Sequence, residues 1–207
     1  MPGAVIIGAG PGIGRSVAWR FAREGMPVAL LSRTGRTLDV AGARGYRADC
    51  ADEESLRGAL DAARAELGVP DVVVYNAAIV RPDTAADAGL RAHLEAWAVN
   101  VVGALVAAAH LAPAMAGTGG GTFLVTGGMP EPRREYVSLS LGKSGVRTLV
   151  ALLDQEYGPA GVHVASVTVA GPVAPGTPFD PDDIAEHYWR LHAQPRGAWQ
   201  HEAVHTG

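Results

Sequence analysis

Short apolar runs alternate with amphipathic stretches along the chain. Ala4-Val5-Ile6-Ile7 reads as a buried strand, and Ile13, Val17 and Phe21 then recur every fourth residue as one face of a helix that Gly25 ends. Residues 27–31 predict a second strand, 46–48 a third, and Glu53–Leu67 a helix with Leu56, Leu60 and Ala63 on one side. Residues 71–75 (DVVVY) read as a strand, apolar after Asp71, as expected of a parallel strand covered on both faces. A long helix over 90–115, a strand over 121–126, a helix over Val137–Tyr157 and a strand over 163–169 continue the rhythm. The tail after Gly171 is rich in proline and offers one short helix, 181–191. Such alternation predicts one doubly wound α/β domain over 1–207, a mostly parallel sheet with helices on both faces. Ligands of such sheets sit beyond the carboxyl ends of the strands, so the loops there are the places to search for chemistry.

Composition narrows the class. At 207 residues, 48% hydrophobic and 18% charged, the chain suits one packed core and not a disordered or fibrous protein. Seventeen basic and 21 acidic residues give a net charge of -4, with no basic run longer than Arg133-Arg134, which argues against a nucleic-acid partner. Apolar runs such as 101–109 read as too short and too rich in small residues to span a membrane, and the N-terminus lacks a charged leader, so a cytoplasmic location is expected. Cys50 has no disulfide partner, and the seven histidines lack metal-ligand spacing. Twenty-seven glycines point to tight turns or to backbone that approaches something closely.

The glycines concentrate in Gly8-Ala9-Gly10-Pro11-Gly12-Ile13-Gly14, between the first strand and first helix. A helix start exposes unpaired N–H groups and a positive dipole end, a site for an anion such as a pyrophosphate. The G-x-G-x-x-G fingerprint would need a glycine at 13, where Ile13 stands, so the spacing is Gly8-x3-Gly12-x-Gly14. At the end of the second strand, Ser32-Arg33-Thr34 holds no acid for free ribose hydroxyls. Arg33, with Arg15 and Arg36 nearby in sequence, suits a ribose phosphate, so NADP is expected in preference to NAD. The alternative is that Arg33 is a solvated loop charge.

With this loop, Asp49 in Arg47-Ala48-Asp49-Cys50, Tyr75-Asn76-Ala77-Ala78, Asn100, Lys143 and Ala170-Gly171-Pro172-Val173, nearly the whole chain resembles the short-chain dehydrogenase/reductase family. The resemblance implies a Rossmann-type domain and a role for each segment. Asp49, with Cys50 beside it, would meet the adenine ring. Asn76, Ala77 and Ala78 would support the cofactor and central sheet, and Asn100 would hold a water of the proton relay. Lys143 would bind the nicotinamide ribose and lower the pKa of a catalytic phenol. Ala170, Gly171, Pro172 and Val173 would face the nicotinamide amide. Relatives pair through the two long helices, so a homodimer or homotetramer is expected, with the small faces of Ala104, Ala107 and Ala108 allowing close contact.

The catalytic positions depart from the family. Lys143 is the one lysine among the 17 basic residues, and it fits. Four residues before it, where the family has its acid tyrosine, stands Leu139, and Gly128 occupies the place of the family serine, with Thr126 the nearest hydroxyl on that strand. Tyr136 lies seven residues before Lys143, a spacing similar to that of enoyl-acyl carrier protein reductases, and is the candidate acid. His187 and His192 could replace it but read as solvent-facing tail residues. The stretch 174–179 is shorter than the family's substrate lid, which predicts an open or shallow site. Two functions remain open: an NADP-dependent oxidoreductase acting on a small carbonyl or conjugated alkene, and an NADP-binding sensor with little or no turnover. A non-redox relative, a dehydratase or isomerase, is a third.

Overall fold

The computed structural model describes residues 3–86 and 89–207. Seven strands form one sheet in the order β3-β2-β1-β4-β5-β6-β7, with every neighbouring pair parallel. They are β1 (Ala4–Ile7), β2 (Val28–Ser32), β3 (Arg44–Arg47), β4 (Val72–Tyr75), β5 (Gly121–Gly128), β6 (Val162–Val169) and β7 (Glu202–His205). The winding reverses between β1 and β4, which opens a crevice beyond their carboxyl ends.

The central strands are apolar on both sides because both sides are core. Val5, Ile7, Val73, Phe123 and Val125 pack with α2 (Glu53–Leu67), α4 (Gly103–Gly117) and α5 (Val137–Tyr157). Ala4, Ile6, Val72, Val74 and Leu124 pack with α1 (Ile13–Arg23) and α6 (Pro181–His192). Asp52 caps α2 by accepting from the Ser55 N–H, and Asp180 caps α6, where Pro181 opens the first turn.

The long helix expected over 90–115 runs further and is not uniform. α3 (Leu90–Trp97) passes through a π-helical turn, Ala98–Val102, into α4. This continuous run, Leu90–Gly117, is 28 residues long with a most apolar window of mean hydropathy 1.7, so by length and composition it is able to cross a membrane, contrary to the sequence expectation. Here half of that window is buried in the fold. Ala104, Ala107 and Ala108 belong to the buried half: they lie against the chain's own sheet, not on an outer face, and their small size serves helix-on-sheet packing. Val102 and Leu105 face outward instead.

The sequence reading also missed β7. Glu202–His205 pairs with Ser166–Val169 at the sheet edge, and Thr168 Oγ1 donates to Glu202 Oε1 at 2.5 Å. Four residues with two apolar members and one exposed edge carry too little pattern to read as a strand.

Candidate active site

The crevice is a cleft of about 1220 Å³ that begins at the loop after β1 and ends at the loops after β5 and β6. Gly8, at φ +82°, turns the chain out of β1, and a Cβ there would collide with the Ala77 backbone. Cβ atoms at Gly10 and Gly12 would meet nothing and would project into open space, and both residues line the cleft. No side chain caps α1, and the N–H groups of Ile13 and Gly14 make no backbone hydrogen bond. The loop is therefore a cradle of backbone donors at a positive helix end, suited to an anion.

Ser32, Arg33, Asp49 and Cys50 line the far end. Thr34 does not. Its hydroxyl lies 3.3 Å from Ser32 Oγ within the turn that also seats the Gly35 N–H on Ser32. Burial pushes the Cys50 thiol up to about 11, which leaves it an inert wall residue. In the middle of the cleft lie Asn76, Ala77 and Ala78, and the 170–173 turn lines the opposite side. Segment 174–179 folds on itself, with Phe179 set against Gly171.

At the reacting end, Lys143 is buried on the inner face of α5, and its Nζ donates to the Thr126 carbonyl at 2.6 Å. Burial alone pushes its ammonium down to about 8. Leu139 and Gly128 line the cleft beside it. Thr126 cannot stand in for the missing serine, because its hydroxyl points to the other side of the sheet, 2.8 Å from Asn76 Oδ1 and 2.6 Å from the Tyr188 hydroxyl of α6. Tyr136 sits at the start of α5, half-buried, and lines the same cleft. His187 and His192 are both half-buried and paired, with His205 and Thr122 respectively, and neither lines the cleft.

Asn100 does not line the cleft either. Buried in the π turn, its side chain accepts from the Ile79 N–H at 2.6 Å and donates to the Ile79 carbonyl, which fixes the loop after β4. Asn76 fixes the glycine loop in the same way by donating to the Gly8 carbonyl at 3.0 Å. Tyr188, Thr126, Asn76 and Gly8 thus form one chain of donors ending on the glycine loop. Arg147 braces the opposite wall by donating to the Gly128 and Met129 carbonyls, where Met129 holds φ +45°, an uncommon conformation for a side-chain-bearing residue.

Asp83 anchors the rim. Its Oδ1 accepts from the Ser138 N–H at 3.0 Å, so a loop residue caps α5 from outside the helix. Burial raises the carboxyl's affinity for protons, but hydrogen bonds from Ser138 and the His93 and Arg81 charges outweigh it and hold Asp83 below the ordinary carboxylate value. Its contribution is therefore present above pH ~4 and lost as acid protonates it. Asp83→Ala should destabilise the fold by about 1 kcal/mol at pH 7, with the difference fading in melts at acid pH.

The sequence profile of the short chain dehydrogenase family matches residues 3–180. The chain belongs to the short chain dehydrogenase family. It is 31% identical to an uncharacterized short-chain type dehydrogenase/reductase of Sinorhizobium fredii, over 80% of this chain and 72% of that one. It is 26% identical to D-threitol dehydrogenase of Mycolicibacterium smegmatis, over 80% and 68%. Among solved structures, 3-ketoacyl-(acyl-carrier-protein) reductase of Brucella melitensis, complexed with NADH, superposes with a TM-score of 0.90 at 24% identity, covering 98% of this chain and 95% of that one; at that identity the likeness is one of fold.

In this member of the short chain dehydrogenase family, the residues that sequence reasoning overlooked lie where the chain returns to the site from a distance. Glu95, Val80, Met129 and the 130–133 turn line the mouth of the cleft. Val80, Met129 and the 130–133 turn adjoin positions that the sequence singled out, but they match no motif themselves, and Glu95 is shown only by tertiary placement.

Proposed function

We propose that the chain is an oxidoreductase that uses a nicotinamide dinucleotide, NADP in preference to NAD, to pass hydride to or from a small carbonyl or a conjugated alkene. One observation carries this reading: a single cleft joins the open glycine cradle, Arg33 and the buried ammonium of Lys143. The N–H groups at the start of α1 would hold the pyrophosphate, Arg33 the extra ribose phosphate, and Lys143 the hydroxyls of the nicotinamide ribose. Bound there, the dinucleotide supplies or takes up the hydride. Tyr136, which lines the same cleft, would hydrogen-bond the substrate oxygen, and Leu139, Met129 and Val169 would keep water from the reacting atoms.

Leu139 and Gly128 favour a second reading, a sensor that binds NADP and turns over little. Following NADPH consumption with benzaldehyde and cyclohexenone as probes separates the two: turnover of either supports the oxidoreductase, and tight binding without turnover supports the sensor. Cofactor choice is tested by fluorescence titration. NADPH is expected to bind more tightly than NADH, and Arg33→Ala to weaken NADPH by roughly tenfold or more while leaving NADH unchanged.

The chain is also proposed to pair with a second copy. Leu90, Leu94, Trp97, Val102, Leu105, Leu141 and Leu152 are exposed large apolar residues, all in the layer of α3, the π turn, α4 and α5. Sedimentation should give a dimer or tetramer, and the double change Leu105→Lys and Leu141→Lys should give a monomer with an unaltered circular dichroism spectrum.

A further inference from the structure

We infer that Lys143 itself hands the proton to the substrate oxygen, through the space that Gly128 leaves beside it; this rests on the hydride-transfer reading above.

Besides Tyr136, no described residue lining the cleft beside Lys143 offers a free hydroxyl. Leu139 has no hydroxyl, Gly128 has no side chain, and the Thr126 hydroxyl is committed on the far side of the sheet. Tyr136 is half-buried at the start of α5, while Lys143 is buried further along the same helix. A Cβ built on Gly128 would lie 3.6 Å from Lys143 Cε and 3.5 Å from the Val169 carbonyl, with nothing nearer. The space that a side chain would fill at position 128 therefore borders the end of the lysine.

An ammonium has three N–H donors. One is spent on the Thr126 carbonyl. Two remain, one for the ribose and one for an oxygen seated beside Gly128. No charged side chain couples to Lys143. Desolvation is the one influence on it, and it brings the ammonium to about 8, where it can release a proton near neutral pH.

The step balances as follows. The carbonyl carbon accepts hydride from the reduced nicotinamide, the C=O π pair moves onto oxygen, and that oxygen takes a proton from Nζ. The neutral amine left behind is recharged from water.

Because Lys143 is the chain's one lysine, carbon-13-labelled lysine gives a single side-chain signal. Its titration midpoint is expected near 8, and kcat/KM for benzaldehyde reduction by the unmodified chain should fall as pH rises through the same midpoint. Lys143→Arg keeps the cation but cannot release a proton in this range. It should bind NADPH within about threefold of the unmodified chain yet reduce benzaldehyde roughly a hundredfold more slowly, whereas Tyr136→Phe should lose less than about tenfold.

A lysine still fully protonated at pH ~10, or undiminished turnover by Lys143→Arg, overturns the inference. If Lys143→Arg does not bind NADPH, the two midpoints decide: agreement supports the inference and disagreement overturns it. Loss of NADPH binding or of turnover in the unmodified chain instead overturns the hydride-transfer reading, and this inference with it.

Discussion

Lys143→Met is expected to lower turnover by about a thousandfold or more and, at neutral pH, to raise the melting temperature. The expected loss of activity follows from removing both the cation proposed to hold the ribose and the proposed proton source. The gain in stability follows from burial. A lysine whose pKa falls from 10.5 to about 8 on folding binds its proton more tightly in the unfolded chain. Stability therefore rises with pH between about 8 and 10, and below pH 8 the buried charge costs about 3 kcal/mol. Methionine is unbranched and apolar, and it fits the same channel without that cost. It forfeits the hydrogen bond to the Thr126 carbonyl, about 1.5 kcal/mol. The net gain of about 1.5 kcal/mol corresponds to roughly 4 °C for a chain of this size. Melts of both proteins from pH 6 to pH 10 check it. The advantage should be largest at pH 6 to 7, vanish above about pH 9 and be reversed by about pH 10; a destabilised variant at pH 7 would contradict this account of the buried ammonium.

The second large effect separates fold from binding within one loop. Gly8→Val places a Cβ against the Ala77 backbone at φ +82°, where no rotamer relieves the overlap because the obstacle is main chain. The loops after β1 and β4 must separate, and strain plus overpacking should cost about 4 kcal/mol, a drop of roughly 10 °C. In Gly12→Val the added Cβ meets no atom of the protein within 4 Å. Its backbone, at φ -91° and ψ -124°, lies outside the regions that residues with a side chain favour, so the change carries local strain but no collision. That strain, about 1–2 kcal/mol, should lower the melting temperature by roughly 5 °C, less than in Gly8→Val, yet NADPH should bind at least about a hundredfold more weakly, because the side chain fills the space proposed for the pyrophosphate. Thermal melts and fluorescence titrations on the two variants give the comparison.

The fold was legible because the periods are clean. Helices α2 and α5 have the bounds that the sequence pattern predicts, and the apolar part of 71–75, Val72–Tyr75, is a strand buried on both faces. The glycine loop was legible because only glycine satisfies its backbone demands at a strand-to-helix turn. Lys143 stood out because the chain uses arginine everywhere else.

What escaped needed three dimensions. The alternation of β5 puts Thr126 on the same side as Leu124, but sequence does not say that α5 lies on the other side with Val125. Likewise the alanines of α4 form a small-residue face, and nothing local says whether sheet or partner covers it. Asp83 reaches Ser138 across 55 positions and Tyr188 reaches Thr126 across 62, distances at which a single sequence carries no pairing signal. The mouth of the cleft, which decides the substrate, is built from such residues.

Titration calorimetry of NADPH into the unmodified protein, beside Gly12→Val, tests the central claim that the glycine cradle grips a dinucleotide. Saturable heat at one site per chain, much weakened in the variant, is the expected result. No heat, or equal heats from both proteins, would contradict it.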